Sequence, residues 1–350
     1  MYYVGVDLHK EQSWFFVMDK AGEKILSKSI SNKPDVLNKF MTTLPKPFKL
    51  AVESTYNWYF FVDIAEQYAK EVFLANSYEL KAFAKRHKKT DKIDARLIAD
   101  VLRKGYLPTV TIPDKNTRKM KELLHYRMRL VQDRCRSVLR LKNLLDKLGQ
   151  NSTGNFTTYK RLSTISTAGL PVNYQKIILG YTEQIEFLNR KIQCAETFLK
   201  EQAVIDEDIK NLISMPGLSY FSASLIKNEI INIERFASFN RLCAYAGLAP
   251  KVSQSGNKMR HGSLNKNRRK YLQWIIIEVV IHFIKASPEI TALYEVLKKK
   301  KGYNTAKVIL ARRMLKIIYH ILKEKRPFYF KEHPLTFESR SVAATALYGV

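Results

Sequence analysis

Apolar residues in the first hundred positions recur in short bursts whose period switches between two and about 3.6, and this switching constrains the fold more than any other feature of the chain. Tyr2 to Leu8, Ser13 to Met18 and Lys24 to Ile30 are rich in β-forming residues, and Asp35 to Leu44 carries a helical pattern. Lys49 to Glu53 is a short apolar strand, Trp58 to Ala69 a helix and Glu71 to Ala75 a strand, with a helical stretch from Glu79. Three strands joined by tight turns, followed by strand–helix units, predict an α/β domain with a mixed sheet flanked by helices.

From Asn116 to Leu148 the pattern becomes a long basic helix with Leu124, Met128, Val131, Cys135, Val138 and Leu145 near heptad spacing and Lys142 interrupting the seam. A cleaner heptad seam runs through Ile178, Tyr181, Ile185, Leu188, Ile192, Ala195 and Leu199. Helices of this kind pair as a hairpin or join another subunit. Gln150 to Pro171, rich in Ser, Thr and Gly, reads as a loop. After Ile205, Met215-Pro216-Gly217-Leu218 leads into a helix in the manner of a helix-hairpin-helix, and a Gly-rich basic loop spans Gly247 to Lys266. A basic helix follows around Thr305 to Lys323, and a loosely held tail lies beyond Pro334. The expected organisation is therefore an α/β domain over 1–112, a helical coiled-coil segment over 113–205, a mostly helical domain over 206–334 and a tail over 335–350.

Lysine and arginine outnumber aspartate and glutamate 60 to 32 in 350 residues, and a surplus of +28 calls for a polyanionic partner. The longest apolar run, Trp274 to Ile284, is broken by Glu278 and His282 and is too short to span a bilayer, which favours nucleic acid over a membrane. The N-terminus MYYVGVDLHK begins with strand residues and has no signal-peptide pattern. Cys135, Cys194 and Cys243 lack metal-ligand spacing, which fits a reducing compartment. The expected setting is intracellular.

Four acids stand out. Side chains alternate along a strand, so Asp7 lies on the face opposite Val4, Val6 and Leu8. Glu53 ends the apolar run Leu50-Ala51-Val52, where a neighbouring strand would bring it beside Asp7. Asp91 and Asp94 are three apart and share a helical face. A cluster of hard oxygen ligands suits magnesium or manganese, and a pair of such ions holds the attacking and leaving oxygens in phosphoryl transfer. Each acid also has a plainer use. Asp91 and Asp94 follow the N-cap candidate Thr90, where acids complement the helix dipole. Glu53 reads equally as a strand-end surface acid, Asp7 as a turn cap and His9 as a solvated or core histidine.

Between Lys251 and Lys270 there are seven lysines or arginines and no acid, surrounding Ser253-Gln254-Ser255-Gly256. Such a loop suits phosphates. A serine there needs an activating group to become a nucleophile, and otherwise bonds a phosphate or caps a turn. Between Lys81 and Gln150 there are 20 basic residues against 7 acids, an imbalance that favours phosphate contact over a merely solvated face. Phe83, Tyr106 and Tyr126 interleave with that charge, as core residues or as stacking partners for bases. The nucleic-acid contacts expected from these segments are Lys88, Lys89, Arg96, Arg127, Arg134, Lys251, Lys258, Arg260, Lys266, Arg268 and Arg269.

Gly5-Val6-Asp7, Val52-Glu53-Ser54 and Lys89-Thr90-Asp91-Lys92-Ile93-Asp94-Ala95 together resemble the RuvC-like, RNase-H-fold DEDD domain of insertion-sequence-110 family transposases and the related Piv invertases. Ala244-Tyr245-Ala246-Gly247-Leu248-Ala249-Pro250, with the serine–glycine loop after it, is similar to the C-terminal domain of the same family. The resemblance implies Asp7, Glu53, Asp91 and Asp94 as metal ligands for Mg2+ or Mn2+, with Ser255 in strand cleavage and Ser253 as the alternative. It further implies donor and target DNA as substrates, a structured noncoding guide RNA from the element, and a dimer or tetramer. One subunit's acids would then work with another's Ser255, and the Ile178 to Leu199 seam is a candidate contact. The chain departs from the common pattern in having Asn257 where a second glycine is usual, and Lys266-Asn267-Arg268-Arg269 in place of a Lys-x-Gly-Asn segment. A site-specific invertase, a structure-selective nuclease that only hydrolyses DNA and a non-catalytic nucleic-acid scaffold are the competing expectations.

Overall fold

The structure is a computed structural model and describes residues 1–83, 90–255, 258–264 and 268–329, with side chains described except at 251–255, 258–261 and 263. Two compact units divide the chain at Pro113/Asp114.

In the first unit six strands among the described residues form one mixed sheet. They are β1 (Tyr2–Leu8), β2 (Gln12–Met18), β3 (Lys24–Ser31), β4 (Phe48–Glu53), β5 (Glu71–Ala75) and β6 (Thr109–Val110), in the order β3-β2-β1-β4-β5-β6. The pairs β3/β2 and β2/β1 are antiparallel, β1/β4 and β4/β5 parallel, and β5/β6 antiparallel. The strands expected from alternation agree with these to within a residue. Val4, Val6, Leu8, Phe15, Val17, Leu50 and Val52 form a core with residues of α1 (Pro34–Thr43) and α2 (Trp58–Ala65) on one face.

Among the described residues two helices cover the other face, the shorter one through Leu80. Asn76 caps a short α3 (Ser77–Leu80) by accepting a bond from Tyr78 N, and a separate helix, α4 (Asp91–Arg103), starts where Thr90 caps by accepting from Ile93 N. The helix expected to run on from Glu79 is thus two elements with different caps, and residues 84–89 lie outside the described ones. Helix α4 lies unusually close to β1 because the strand offers Gly5 and the helix offers Ala95 and Ala99. A Cβ on Gly5 would fall 2.1 Å from Ala95 O and 2.4 Å from Ala99 N, both backbone atoms.

The second unit is helical. Helices α5 (Lys115–Lys147) and α7 (Val172–Val204) run antiparallel, with Arg127 bonded to Glu196, Arg134 to Asn189 and Ser137 to Gln184. The Ile178, Ile185, Leu188, Ile192, Ala195, Leu199 seam is buried, as its spacing predicts, and it is used within the chain. Lys142, which breaks the α5 seam, donates to Gly154 O and lies over the Phe156 ring. Phe156 is fully buried, and the 150–171 segment also holds the short helix α6 (Tyr159–Leu162), so the segment is packed rather than merely connecting. Helices α8 (Glu207–Ile213), α9 (Tyr220–Ile230), α10 (Phe239–Tyr245), α11 (Lys270–Lys285), α12 (Pro288–Lys301) and α13 (Tyr303–Glu324) build the largest core. The Gly-rich basic loop is a two-stranded antiparallel hairpin, β7 (Pro250–Ser255) with β8 (Lys258–Leu264). The tail from 330 onward lies outside the described residues. No helix among the described residues is long and apolar enough to cross a membrane. Cys135 and Cys194 are exposed thiols and Cys243 a buried one.

A buried ion cluster ties α5 to the hairpin's root. The Glu229 carboxylate, 2% exposed, pairs with Lys121 Nζ at 3.1 Å and His125 Nε2 at 3.3 Å. Tyr245 OH donates to Glu229 O, while Arg269 donates its Nε to Tyr245 OH (2.7 Å) and its backbone N to Tyr245 O. Burial alone would push Glu229 up, but the His125 bond and the Lys121 and Arg269 charges outweigh it and hold the carboxyl below its ordinary value.

Two outcomes follow. Gly5→Ala forces α4 away from β1, and urea denaturation is expected to show a loss of about 1–3 kcal/mol or more; unchanged stability would mean the helix does not sit this close. Lys121→Met strands a buried carboxylate, for a loss of about 3–5 kcal/mol at pH 7. Because the folded value of Glu229 is depressed, its contribution is present above the ordinary value of 4.5 and is lost as pH falls through the folded one. The stability gap between parent and variant is therefore expected to narrow in acid.

Candidate active site

The open end of α4 meets the carboxyl ends of β1 and β4. Asp7 is buried, 5% exposed, near the end of β1 on the face that α4 covers. Val6 pairs with Val52 in parallel register, so the next residues, Asp7 and Glu53, stand side by side and share that face. Ala51, two residues before Glu53, packs with Ile98 and Leu102 of α4, which confirms the side. Asp91 and Asp94 occupy the first turn of the same helix. Their dipole-complementing use and their place beside Asp7 come from one geometry, so the two readings of these acids do not compete.

His9 bridges the acids. Its Nε2 lies 3.1 Å from Asp7 Oδ2 and 3.3 Å from Asp91 Oδ1, and Asp7, His9 and Asp91 offer ligand atoms all within 4.8 Å of one another. The His9 backbone is pinned from two sides, since Asn32 Nδ2 and Asn57 Nδ2 both donate to His9 O at 2.8 Å. Asn32 is itself held by Ser13 Oγ. Sequence reasoning set His9 aside as solvated or core and did not single out Asn32 or Asn57. Proximity to Asp7 was the available signal for the histidine, whereas the asparagines come from distant loops and carried none.

Burial is the largest influence on Asp7, pushing its carboxyl up to about 6; His9 opposes this, and the neighbouring Asp91 and Asp94 charges add to it. Burial works against the charged imidazole of His9, but the facing Asp7 and Asp91 carboxylates outweigh it and raise His9 above its ordinary value. The group as a whole thus holds more negative charge than it neutralises.

The expected phosphate contacts divide by structure. Arg96 is exposed on α4 with its guanidinium 5.8 Å over Phe16. Arg127 is engaged by Glu196 and stacks 4.1 Å over Phe221, and Arg134 donates to Asn189, so both serve the α5–α7 pairing. Arg269 is likewise an anchor of the hairpin root. All three guanidinium groups have protein partners in the structure. Exposed basic positions on α5 are Lys115, Lys119, Arg129, Arg136, Arg140 and Lys147, of which Arg129 pairs with Glu122 and Arg136 with Asp133, and Arg268 is exposed after the hairpin. Ser255 ends β7 opposite Lys258, and the side chains of Ser253, Ser255, Lys251, Lys258 and Arg260 lie outside the described ones. Lys88, Lys89 and Lys266 lie outside the described residues.

A raised folded value means that Asp7 contributes stability fully below its ordinary 3.8, which is lost as pH rises through about 6. Asp7→Asn is therefore expected to unfold later in urea than the parent at pH 7.5 in EDTA, by about 1–3 kcal/mol, with the difference closing at pH 4. Equal stability at both pH values would show that the fold imposes no such penalty.

Two family models match the chain, a transposase DEDD domain over residues 4–149 and a domain of the IS116/IS110/IS902 transposase family over residues 209–295. The transposase for insertion sequence element IS1328 of Yersinia enterocolitica is 25% identical over 276 residues, covering 79% of this chain and 81% of the relative. The transposase for insertion sequence element IS1111A of Coxiella burnetii is 26% identical over 266 residues, covering 73% and 72%. An uncharacterized 44.8 kDa protein of insertion element IS116 from Streptomyces clavuligerus is 22% identical and covers 93% and 96%. With two models of the family matching residues 4–149 and 209–295 and relatives that span most of its length, this chain belongs to the IS110 family of transposases.

Proposed function

We propose that the chain is the DNA transposase of an insertion sequence, cutting and rejoining strands with Asp7, Glu53, Asp91 and Asp94 as a divalent-metal site and Ser255 as the nucleophile. The observation that carries the reading is the gathering of carboxylates at one end of α4, where Asp7 and Asp91 are close enough to share a single histidine nitrogen. Three antiparallel strands followed by parallel β4 and β5 support an RNase-H- or RuvC-like description of the first unit.

The residues present fit Mg2+ or Mn2+. The donors are carboxylate oxygens, which suit a hard cation. Asp7 is raised by its burial and by Asp91 and Asp94, and charge of this kind is what a cation relieves. Asp7 and Asp91 would be the principal ligands, with Glu53 and Asp94 completing the set. A bound divalent ion would supply neutralisation of phosphate charge and activation of the attacking oxygen. His9, held by both aspartates, keeps their side chains together until a cation replaces its charge.

Exposed Lys119, Arg129, Arg136 and Arg140 on α5 and the basic β7–β8 segment are assigned to phosphates of donor and target DNA and of an element-encoded guide RNA. The protein acts as a homo-oligomer, a dimer or tetramer.

The test is to purify the full chain from cells carrying its native flanking DNA, sequence any co-purifying RNA, and assay recombination with and without it. Asp7→Asn and Asp91→Asn are expected to lower Mg2+-dependent cutting by about 100-fold or more. They are also expected to abolish the rise in Tm that Mn2+ gives the parent. Ser255→Ala should lose joined products while keeping DNA binding. Full DNA cutting by Ser255→Ala would make the chain a hydrolytic nuclease, and no Mg2+-dependent cutting by the parent, with Asp7→Asn indistinguishable from it, would make it a scaffold.

A further inference from the structure

Beside Asp7 lies a cleft that shares His9 and Asp91 with the acidic group and continues across β2 to Ser29 of β3. It encloses about 540 Å3 and is lined by His9, Lys10, Gln12, Trp14, Ser29 and Asp91, among others. We infer that this ledge, formed by Lys10, Gln12, Trp14 and Ser29 at the β2–β3 edge, binds the unpaired DNA nucleoside next to the phosphate being cut, with its base against the Trp14 indole. The inference rests on the proposed metal site only for the position of that phosphate.

Register supplies the placement. Asp7 pairs with Trp14 and Trp14 pairs with Ser29, so the three side chains share one face across three adjacent strands. Neighbouring strands are about 4.8 Å apart, which puts Trp14 one strand and Ser29 two strands from the buried acid. Helix α4 packs over β1, β2 and β4, and the cleft opens toward β3.

The chemistry of the ledge suits a base. Trp14 is half-buried against the cluster of Phe16, Met18, Ala95 and Ala99, which is the ordinary use of an aromatic residue under a helix. That use does not account for the ring also lining an open, polar cleft. The indole Nε1 donates to Ser27 Oγ at 2.9 Å, which orients the ring and leaves its surface, rather than its N–H, for a ligand. Stacking on an aromatic ring tolerates any base. Ser29 Oγ donates to Gln12 Oε1 at 2.9 Å, fixing the amide so that its NH2 group is the donor available to a base edge. Lys10 and, on α4, exposed Arg96 supply charge for the flanking phosphates. Its lining sets one aromatic ring among polar and charged side chains, Lys10, Glu11, Gln12, Ser29, His9 and Asp91, a composition that suits a nucleoside better than an apolar protein surface.

The experiment uses the full chain in EDTA, which suppresses cutting, and a short oligothymidylate carrying one 2-aminopurine whose fluorescence falls on stacking. The parent is expected to quench the probe. Trp14→Leu should weaken binding about 10-fold, the share of one stacked base, and remove the quench, while Trp14→Phe restores both. Gln12→Ala, at an exposed position that leaves the fold untouched, should change the ranking among probes of different base next to the reporter. Equal quenching by the parent and Trp14→Leu would overturn the inference, as would quenching by the ribonucleotide version of the probe alone. Asp7→Asn separates the two readings. Retained quenching with lost Mg2+-dependent cutting supports both, and retained cutting defeats the metal site while the Trp14 comparison still decides the ledge.

Discussion

The first unit depends on one close approach, α4 lying on the backbone of β1 at Gly5. A helix normally stands off a sheet by the thickness of two side-chain layers, about 10 Å between sheets being the familiar analogue. Here one of those layers is missing, because Gly5 has no side chain and Ala95 and Ala99 present only methyl groups. The first turn of α4 is thereby lowered to the level of Asp7. With a larger residue at any of these three positions, Asp91 and Asp94 would stand above the strand ends instead of beside them. The small residues thus set the height at which the acids of α4 stand.

The charge arrangement follows from that geometry. Asp7 is driven into a buried position by the strand it belongs to, and α4 then brings two further acids toward it. Each acid is acceptable locally, Asp91 and Asp94 as partners of the helix dipole and Asp7 through His9, yet together they are under-neutralised. The second unit shows the opposite balance. There the buried carboxylate of Glu229 has Lys121, His125 and Arg269 around it and is held ionised. A buried acid with abundant cationic partners serves structure, and a buried acid among other acids is poised for a ligand. The contrast within a single chain separates the two kinds of site without appeal to sequence motifs.

The same distinction sorts the arginines. A basic run in a helix is indistinguishable, as a string of letters, from a phosphate-binding face. Arg127 and Arg134 lie among the exposed positions Arg129, Arg136 and Arg140 in the sequence, but helical rotation turns the first two toward α7. Arg127 there meets the Glu196 carboxylate and Arg134 the neutral Asn189 amide. Arg269 sits in the most basic segment of the chain and is nevertheless spent on Tyr245.

Period and spacing in the sequence determined the strands and helices of the first unit to within a few residues and the two long helices of the second. This is because burial imposes its periodicity directly on the residues that experience it. The family was legible for a related reason, since its motifs are short and local. What sequence could not determine was which distant groups meet: His9 between Asp7 and Asp91, Asn32 and Asn57 on the His9 carbonyl, Trp14 beside the acids. Those meetings depend on strand register and on how closely α4 descends, quantities set by the packing of many residues at once. Only the tertiary structure decided them, because a contact between residues tens of positions apart leaves no period of its own in the chain.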